Sequence, residues 1–338
     1  MASGLHGGAE LFFEDLLPAL GQAGLTPRIT QSAVIRRYPT RAAKLAAAGI
    51  PSQMLRFGGP FDLVSRWKLR AHAQAFKPDI VMGWMNRACA SLPHGPWINV
   101  GRLGGYYDLK YYRRCRVFIC NTPDIADYVV RQGKPASAVH YIPNFCAVAP
   151  GPAIHPDMIR TPVGAPILLV LARLQPQKGI DTAIRALAEI PEAVMWIAGD
   201  GLLEAPLRKL AQETRVADRV RFLGWRDDRS ALLKAATAVL VPSRHEPFGN
   251  VVVNAWAHGV PLVATRSEGP GYLVRDGEDG LLVPVDDPHA LAEAARRVIA
   301  DRALAQHLIA EGTIRAAAEF SEAAVVGRYL EVLSHLHP

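Results

Sequence analysis

Long apolar runs are missing from this sequence of 338 residues. No stretch approaches the ~20 consecutive apolar residues that a membrane-spanning helix needs. The beginning of the chain, MASGLHGGAELFFEDLL, also lacks the basic segment and apolar core of a signal peptide. These absences predict a cytoplasmic protein and leave room for peripheral contact with the inner face of a membrane.

Cysteine is scarce as well. The four cysteines all lie in the first half of the chain: Cys89, Cys115, Cys120 and Cys146. Their spacing matches no zinc motif, and four residues separate the pair at 115 and 120, which is not a redox CxxC pattern. We therefore expect buried, reduced thiols.

Acidic residues are few in the first half of the chain. Residues 1–150 contain 18 Lys and Arg against 8 Asp and Glu, a net charge of +10, whereas the remainder contains 20 against 23, a net charge of −3. This asymmetry indicates that the first half faces something anionic.

The densest group of cations in that half is interleaved with tyrosines. It consists of Lys110, Arg113, Arg114 and Arg116 among Tyr106, Tyr107, Tyr111 and Tyr112. Two interpretations stay open: a surface for an anionic acceptor or an anionic membrane, and a solvated helix face. Nucleic acid is a weaker third option, because no recognised RNA- or DNA-binding module surrounds the group.

The second half alternates between short apolar runs and helical patterns. The runs at 166–172, 193–199, 220–224, 238–242, 260–264 and 280–284 are apolar on both faces. Strands of this kind, separated by helices, predict a parallel sheet covered on both sides. We expect a Rossmann-like domain over residues 166–318, followed by a helix over 319–338.

The first half is less regular. Strands are expected at 79–85, 96–101, 117–122 and 139–144, and a helix over 7–24 follows a glycine turn. These elements indicate a second Rossmann-like domain over 1–148, with a Pro- and Gly-rich linker over 149–165. The sequence thus favours an α/β fold of two doubly wound domains that face each other across a cleft, with ligands at the carboxyl ends of the strands.

The expected first strand of the N-terminal domain is missing. A doubly wound domain normally has a strand before its first glycine turn, yet here the turn begins within a few residues of Met1. Either the chain begins inside a longer natural sequence or the sheet lacks a central strand. We expect the former.

Two stretches of the second half carry candidate chemistry. In ARLQPQKG (172–179), Arg173 and Lys178 lie between a strand and a helix, where an anion is favoured by the helix N-terminus. In RHEPFGNVVVNAWAHG (244–259), Glu246 precedes a helix start and Asn254 lies one turn inside that helix. Glu246 is placed to accept from sugar hydroxyls, although exposed basic residues and a helix-dipole acid remain simpler explanations. The glycine turn AGDGLL (198–203) is weak evidence, since it only permits the close approach of a nucleotide.

Together these stretches resemble the retaining glycosyltransferases of family 4, which have the two-domain GT-B fold. The similarity runs through ARLQPQKGID, IAGDGLLEAPL, VRFLG, VPSRHEPFGNVVVNAWAHGVPLVAT and VRDGEDGLLVP, and more loosely through GGAE (7–10) and YIPNF (141–145).

The resemblance implies a role for each matching residue. Arg173 and Lys178 match the clamp on the donor diphosphate, and Glu246 matches the first acid of a paired-glutamate motif that holds donor-sugar hydroxyls. The remaining positions matched to the donor site are Gly7, Gly8, Gly199, Gly201, Leu223, Phe248, Gly249, Asn250, Val251 and Asn254.

The chain departs from the family pattern at three positions. Asn254 replaces the second glutamate, which usually accepts from the ribose hydroxyls, and Tyr272 stands where many members carry Glu. The fourth N-domain strand reads Gly101-Arg102 where many members have a His that faces the reacting carbon. In the front-face mechanism proposed for the family the leaving phosphate takes the acceptor's proton, so these departures do not forbid catalysis.

The function expected from these observations is the retaining transfer of a sugar from a nucleotide-diphosphate donor to a glycan or lipid-linked acceptor, in bacterial surface polysaccharide or lipopolysaccharide synthesis. We expect no cofactor and no metal, since VDDPH (285–289) is better explained as a helix N-cap than as a metal motif. Lys110, Arg113 and Arg114 would face the acceptor or an anionic membrane. A non-hydrolysing sugar-nucleotide epimerase and a catalytically silent GT-B subunit remain alternatives, and the sugar, base, acceptor and oligomeric state are left open.

Overall fold

The protein is described by a computed structural model that covers residues 1–2, 4, 7–23, 29–59 and 62–336. The chain divides into two compact units, one formed by Met1–Phe145 with Glu322–Pro338 and the other by Cys146–Ser321. Within the described residues, no helix has both the length and the apolar character needed to cross a bilayer.

The second unit is built on a six-stranded, wholly parallel sheet. Its strands are β7 (Ile167–Leu171), β8 (Val194–Ala198), β9 (Val220–Gly224), β10 (Ala238–Val241), β11 (Leu262–Thr265) and β12 (Leu281–Val283). The strand order is β12-β11-β10-β7-β8-β9. The predicted series of six strands is confirmed.

Helices connect these strands and cover the sheet. They are α6 (Ile180–Leu187), α7 (Glu204–Glu213), α8 (Arg229–Ala235), α9 (Asn250–Ala257), α10 (Glu268–Leu273), α11 (Pro288–Ala300) and α12 (Arg302–Glu319). Alternate strand residues enter opposite cores: Leu168 and Val170 pack on one face of the sheet, whereas Leu169 and Trp196 pack on the other. Burial on both faces explains why the strands read as uninterrupted apolar runs.

The first unit contains a four-stranded parallel sheet and, within its described residues, a separate pair of parallel strands. Its strands are β1 (Ala33–Arg36), β2 (Ser52–Leu55), β3 (Ile80–Trp84), β4 (Ile98–Leu103), β5 (Val117–Cys120) and β6 (Val139–Tyr141). Its helices are α1 (Gly8–Gln22), α2 (Pro39–Ala47), α3 (Leu63–Phe76), α4 (Met85–Ser91), α5 (Pro123–Arg131) and α13 (Glu322–Ser334).

The sequence patterns predicted only part of this unit. Strands β3 to β6 and helix α1 were expected, whereas β1, β2 and α2 to α5 were not. The backbone of Met1 lies beside β1, because its amino group donates to Val34 O at 2.9 Å and its carbonyl accepts from Arg36 N at 3.0 Å. The expected truncated start stays a prediction.

The C-terminal helix α13 belongs to the first unit. Val325, Val326 and Tyr329 share a buried core with Phe12 and Leu16 of α1. The last helix of the chain therefore completes the core of the first unit, although it follows the second unit in the sequence.

Candidate active site

Three neighbouring strands of the second unit deliver the polar side chains of the candidate site. Lys178 follows β7, Glu246 follows β10, and Glu268 follows β11. These strands are adjacent in the order β11-β10-β7, and parallel strands end at the same edge of a sheet. The topology thus brings together residues that are far apart in the sequence.

Backbone hydrogen bonds join the loop that follows β7 to the loop that follows β10. The carbonyl of Gln177 accepts from the N–H groups of Arg244, at 2.9 Å, and His245, at 3.1 Å. Gly179 has φ = 60°, and a Cβ there would lie 1.9 Å from the carbonyl oxygen of Pro242. A residue without a side chain is therefore required where the loops cross.

This close packing pairs Lys178 with Glu246. Lys178 Nζ lies 2.5 Å from Glu246 Oε2, and the two side chains are 15% and 18% exposed. Arg173 lies exposed on the same loop as Lys178 and, within the described ranges, its side chain has no hydrogen-bond or ion-pair partner. The site thus combines a carboxylate with two cations, one of which is unengaged.

Glu268 is a site residue that the sequence reasoning missed. Its Oε2 accepts from the backbone N–H of Glu246 at 3.2 Å, and its Oε1 lies 2.7 Å from Nδ1 of His245. The next residue, Gly269, donates its N–H to the carbonyl of Glu246 at 2.8 Å. The start of α10 therefore holds the backbone of Glu246 at both its N–H and its carbonyl. A carboxylate directly before Gly-Pro-Gly was the only available signal.

The pKa of the Glu268 carboxyl reflects these contacts. Burial by itself raises this pKa, but hydrogen bonds from His245 and from backbone N–H groups, including that of Glu246, outweigh burial and lower it below the ordinary value. Glu268 is thus held ionised at the sheet edge.

The loop after Glu246 leads directly into helix α9. Phe248 is buried, and Gly249 is the N-cap with φ = 100°, a conformation that favours glycine. Asn250 and Val251 open the helix as predicted, and the first N–H groups of a helix lie outside its own hydrogen-bonding ladder. The helix start therefore offers donors and a positive dipole end to an anion.

Asn254 makes an unexpected contact. Its Oδ1 accepts from the thiol of Cys146 at 2.5 Å, and its backbone carbonyl lies 2.8 Å from Nδ1 of His258. Cys146 is half-buried, so the expectation of four buried thiols is wrong at this position and correct for the other three. None of the four, all within the described ranges, forms a disulfide.

The glycine turn after β8 is shaped by its protein neighbours. A Cβ on Gly199 would lie 1.9 Å from the carbonyl oxygen of Ala172, and one on Gly201 would lie 2.4 Å from that of Leu174. The N–H of Gly199 also donates to the carbonyl of Gly224, next to the half-buried Leu223. Packing against the 172–174 loop is therefore enough to require both glycines.

Comparisons with known proteins agree with this geometry. The family model "Glycosyltransferase Family 4" matches residues 6–148, and "Glycosyl transferases group 1" matches residues 155–315. The chain is 36% identical over 336 residues to the lipopolysaccharide core biosynthesis glycosyltransferase LpsE of Rhizobium meliloti (strain 1021), covering 98% of this chain and 97% of that relative. The chain belongs to glycosyltransferase family 4. It is 33% identical to LpsD of the same organism, over 97% of this chain and 95% of LpsD.

Solved structures agree on the fold of this glycosyltransferase. HepE of Anabaena, solved in complex with UDP-glucose, superposes with a TM-score of 0.83 at 21% identity, covering 99% of this chain and 98% of HepE. WaaG, a glycosyltransferase involved in lipopolysaccharide biosynthesis, superposes with a TM-score of 0.70 at 16% identity, covering 99% and 98%. The glycosyltransferase therefore has the GT-B fold with two Rossmann-like domains.

Arg102 belongs to the pair Gly101-Arg102, where the resemblance to the family implies a His in many members. It is buried in β4, donates from Nε to Tyr329 Oη at 3.0 Å, and also donates to Asn144. Its guanidinium lies 4.9 Å from the ring centre of Phe12 and 5.1 Å from that of Trp84. In this glycosyltransferase the position is thus occupied by a side chain that ties helix α13 to the sheet.

The other predicted residues of the first unit are placed as follows. Gly7 is the N-cap of α1 and Gly8 is its first residue. Lys110 is exposed and pairs with Asp108 at 2.6 Å, Arg113 is exposed, and Arg114 donates to the carbonyl of Leu92. The segment forms a short 3₁₀ turn, Leu109–Tyr112, and its cations are in part already engaged.

Metal-binding side chains do not cluster in the described parts of the glycosyltransferase, where no group of three or more His, Cys, Asp or Glu could hold an ion. The Asp-Asp sequence at 286–287 lies at the start of helix α11. Asp287 is the N-cap of α11 and accepts from the N–H of Ala290 at 2.9 Å, which confirms the predicted cap.

Proposed function

We propose that the protein transfers a sugar from a nucleoside-diphosphate sugar to a glycan or lipid-linked acceptor, with retention of anomeric configuration and without a metal ion. The observation that carries the proposal is the pair formed by Lys178 and Glu246 beside the start of α9. One edge of the sheet thereby combines cationic groups suited to a diphosphate with a carboxylate suited to sugar hydroxyls.

In this proposal Arg173, Lys178 and the N–H groups at the start of α9 bind the diphosphate. The bond from the anomeric carbon to the phosphate oxygen breaks, and the acceptor oxygen bonds to that carbon on the same face. The acceptor's proton passes to the leaving phosphate oxygen. The protein then mainly holds two substrates in place and stabilises the charge that develops on the diphosphate.

Glu246 is assigned to the donor-sugar hydroxyls. Its side chain already accepts from Lys178 through one oxygen, and a carboxylate has further lone pairs for hydroxyl donors. When the donor binds, its diphosphate is a second anion beside Lys178. Lys178 can then bind the phosphate while Glu246 binds the sugar hydroxyls.

The biological context is proposed from relatives and charge. LpsE and LpsD are named for lipopolysaccharide core biosynthesis, and HepE was solved with UDP-glucose. We assign this chain to lipopolysaccharide or surface-polysaccharide synthesis, with a uridine nucleotide as the first donor to test. Lys110, Arg113 and Arg114 are assigned to an anionic part of the acceptor, consistent with the net charge of +10 in residues 1–150.

Calorimetric titration with UDP, GDP, ADP and dTDP tests the donor site. We expect one of the four nucleoside diphosphates to bind. Arg173→Ala should raise its Kd about 10- to 100-fold, which corresponds to the loss of a hydrogen bond to a charged group. Arg296→Ala, which removes an exposed arginine from α11 of the same unit, is the matched control. A folded protein that binds none of the four nucleotides would overturn the proposal.

The reaction itself is tested by NMR of the product with the matching donor sugar. The anomeric configuration should be retained, and EDTA should leave the rate unchanged. Conversion of the donor sugar without an acceptor would point to an epimerase instead, and binding without turnover would point to a silent subunit.

A further inference from the structure

Helix α3 of the first unit exposes an unusual group of apolar side chains. Leu63 is 69% exposed, Val64 is 64% exposed and Trp67 is 69% exposed. Single exposed apolar residues are ordinary on protein surfaces, but three within five consecutive residues of a helix, one of them a tryptophan, form a patch.

The three side chains occupy one face of the helix. At ~100° per residue, Leu63, Val64 and Trp67 fall within an arc of about 100°. The buried residues Ser65, Leu69 and Ala73 lie on the opposite face and attach the helix to the unit. We call the outer arc, with its flanking cations, the α3 face.

Cations flank the apolar arc on both sides. On the same helical wheel Lys68 lies about 40° beyond one margin and Arg70 about 20° beyond the other. Both are exposed, and within the described residues neither forms an ion pair. The helix contains no Asp or Glu between its first and last residues. Over its first two turns its outer surface is therefore apolar along the middle and positive along both margins, and exposed Gln74 interrupts the apolar arc only in the last turn.

Trp67 differs from the other tryptophans of the chain. Trp84, Trp97, Trp196 and Trp256 are buried, and Trp225 is half-buried. Tryptophan is enriched where an apolar environment meets water, particularly at the headgroup level of membranes.

We propose that the α3 face binds an anionic lipid bilayer, with the helix lying in the plane of the interface. An apolar arc with cations along both margins fits a surface whose interior is hydrocarbon and whose headgroups are negative. A second copy of the chain fits poorly, because a symmetric contact would bring Lys68 and Arg70 against the same cations of the other copy. The proposal does not depend on the transfer reaction, since binding needs neither donor nor acceptor.

Tryptophan fluorescence of the full chain, titrated with vesicles of phosphatidylglycerol and phosphatidylcholine, tests the proposal. Vesicles rich in phosphatidylglycerol should shift the emission to shorter wavelength and protect it from acrylamide, whereas pure phosphatidylcholine should do neither. In Trp67→Phe the spectral shift should disappear while co-sedimentation with the vesicles persists. A shift that survives this substitution would contradict the placement of Trp67 in the bilayer.

Charge and apolar contributions are separated by co-sedimentation. Lys68→Gln with Arg70→Gln should weaken partitioning about fivefold for each charge removed. Leu63→Ser should weaken it about tenfold. Lys209→Gln with Arg296→Gln removes two exposed cations from the second unit and serves as the matched control.

A third charge variant tests the competing surface. Lys110→Gln with Arg113→Gln should leave vesicle binding within about twofold of the unmodified chain. If this variant loses as much vesicle binding as Lys68→Gln with Arg70→Gln, the membrane contact lies at the cations around Lys110 and Arg113 and not at the α3 face. Equal binding of all variants to anionic and neutral vesicles, or no binding at all, would overturn the proposal.

Discussion

Glu268 holds Glu246 in place through the backbone, with its Oε2 3.2 Å from the N–H of Glu246. Because Gly269 binds the carbonyl of Glu246 and Lys178 binds its carboxylate, the residue is fixed at three points. Because the Glu268 carboxylate contacts the backbone of Glu246 and the ring of His245, we regard it as a positioning residue for Glu246.

Removal of the Glu268 carboxylate should impair donor use. Glu268→Ala leaves the N–H of Glu246 and the ring of His245 without their partner, and we expect kcat/KM for the donor to fall about tenfold. Glu268→Gln keeps one acceptor oxygen, so its kcat/KM should lie between those of Glu268→Ala and the unmodified enzyme. Steady-state kinetics with varied donor measure this effect, with the exposed Glu278→Ala as control. Rates for all three variants equal to the unmodified enzyme would exclude a positioning role.

Gly269 should tolerate no side chain. A Cβ there would lie 2.2 Å from the carbonyl oxygen of Phe248 and 2.7 Å from that of Glu246. We expect Gly269→Ala to cost about 1–3 kcal/mol of unfolding free energy and to weaken nucleotide binding. Gly271→Ala, in the same helix, meets its nearest atoms at 3.5 Å and should be close to neutral. Thermal and denaturant unfolding measure the stability of the two variants. Equal losses of unfolding free energy in Gly269→Ala and Gly271→Ala would contradict this prediction.

A carboxylate at position 254 should strengthen nucleotide binding, because the resemblance to family 4 implies that this position accepts from the ribose hydroxyls. A hydrogen bond to a charged acceptor is worth about 1 kcal/mol more than one to a neutral acceptor, which is about fivefold in Kd. Asn254→Glu is best measured in the Cys146→Ala background, since the thiol lies 2.5 Å from the amide oxygen. Calorimetry against Cys146→Ala alone isolates the effect. Unchanged or weaker binding would show that position 254 does not meet the ribose.

The stability of the second unit should depend on His258. Burial, aided by the nearby charges of Lys234 and Arg229, lowers the pKa of His258 below its ordinary value of 6.5, although the carbonyl of Asn254 acts in the opposite direction. The unfolded chain therefore takes up the proton first as pH falls. This contribution to stability is complete above pH 6.5 and is lost as pH falls below it through the folded pKa.

Thermal unfolding between pH 7.5 and 5.5 measures this dependence. The melting temperature should fall more steeply in the unmodified protein than in His258→Gln, which keeps polar contacts towards Ser230 and Asn254 but does not titrate. His289→Gln is a control of opposite sign: Glu189 raises the pKa of this exposed histidine, so its removal should steepen the fall rather than flatten it. Parallel pH profiles for the unmodified protein and His258→Gln would exclude the effect.

The loops of the candidate site could be located from the sequence. The loops that contain Arg173, Lys178 and Glu246 follow apolar strands, and strand ends are where doubly wound sheets bind ligands. Glu268 could not be assigned in this way, because its partners are backbone atoms of another loop. The departure at Asn254 was visible in the sequence, but its contact with Cys146, 108 residues away, was not.

By itself the sequence determined the six strands of the second unit, the four strands β3 to β6 of the first unit and the loops that carry the candidate site. Apolar periodicity and glycine positions are local properties, and they are sufficient for elements whose faces are both buried. Only the tertiary structure decided which loops touch and which helix faces stay open. The pairing of Lys178 with Glu246, the contact of Glu268 and the exposure of Trp67 depend on strand order and on backbones that approach across long separations in the chain. Such contacts are properties of the packed molecule and are not present in any short stretch of sequence.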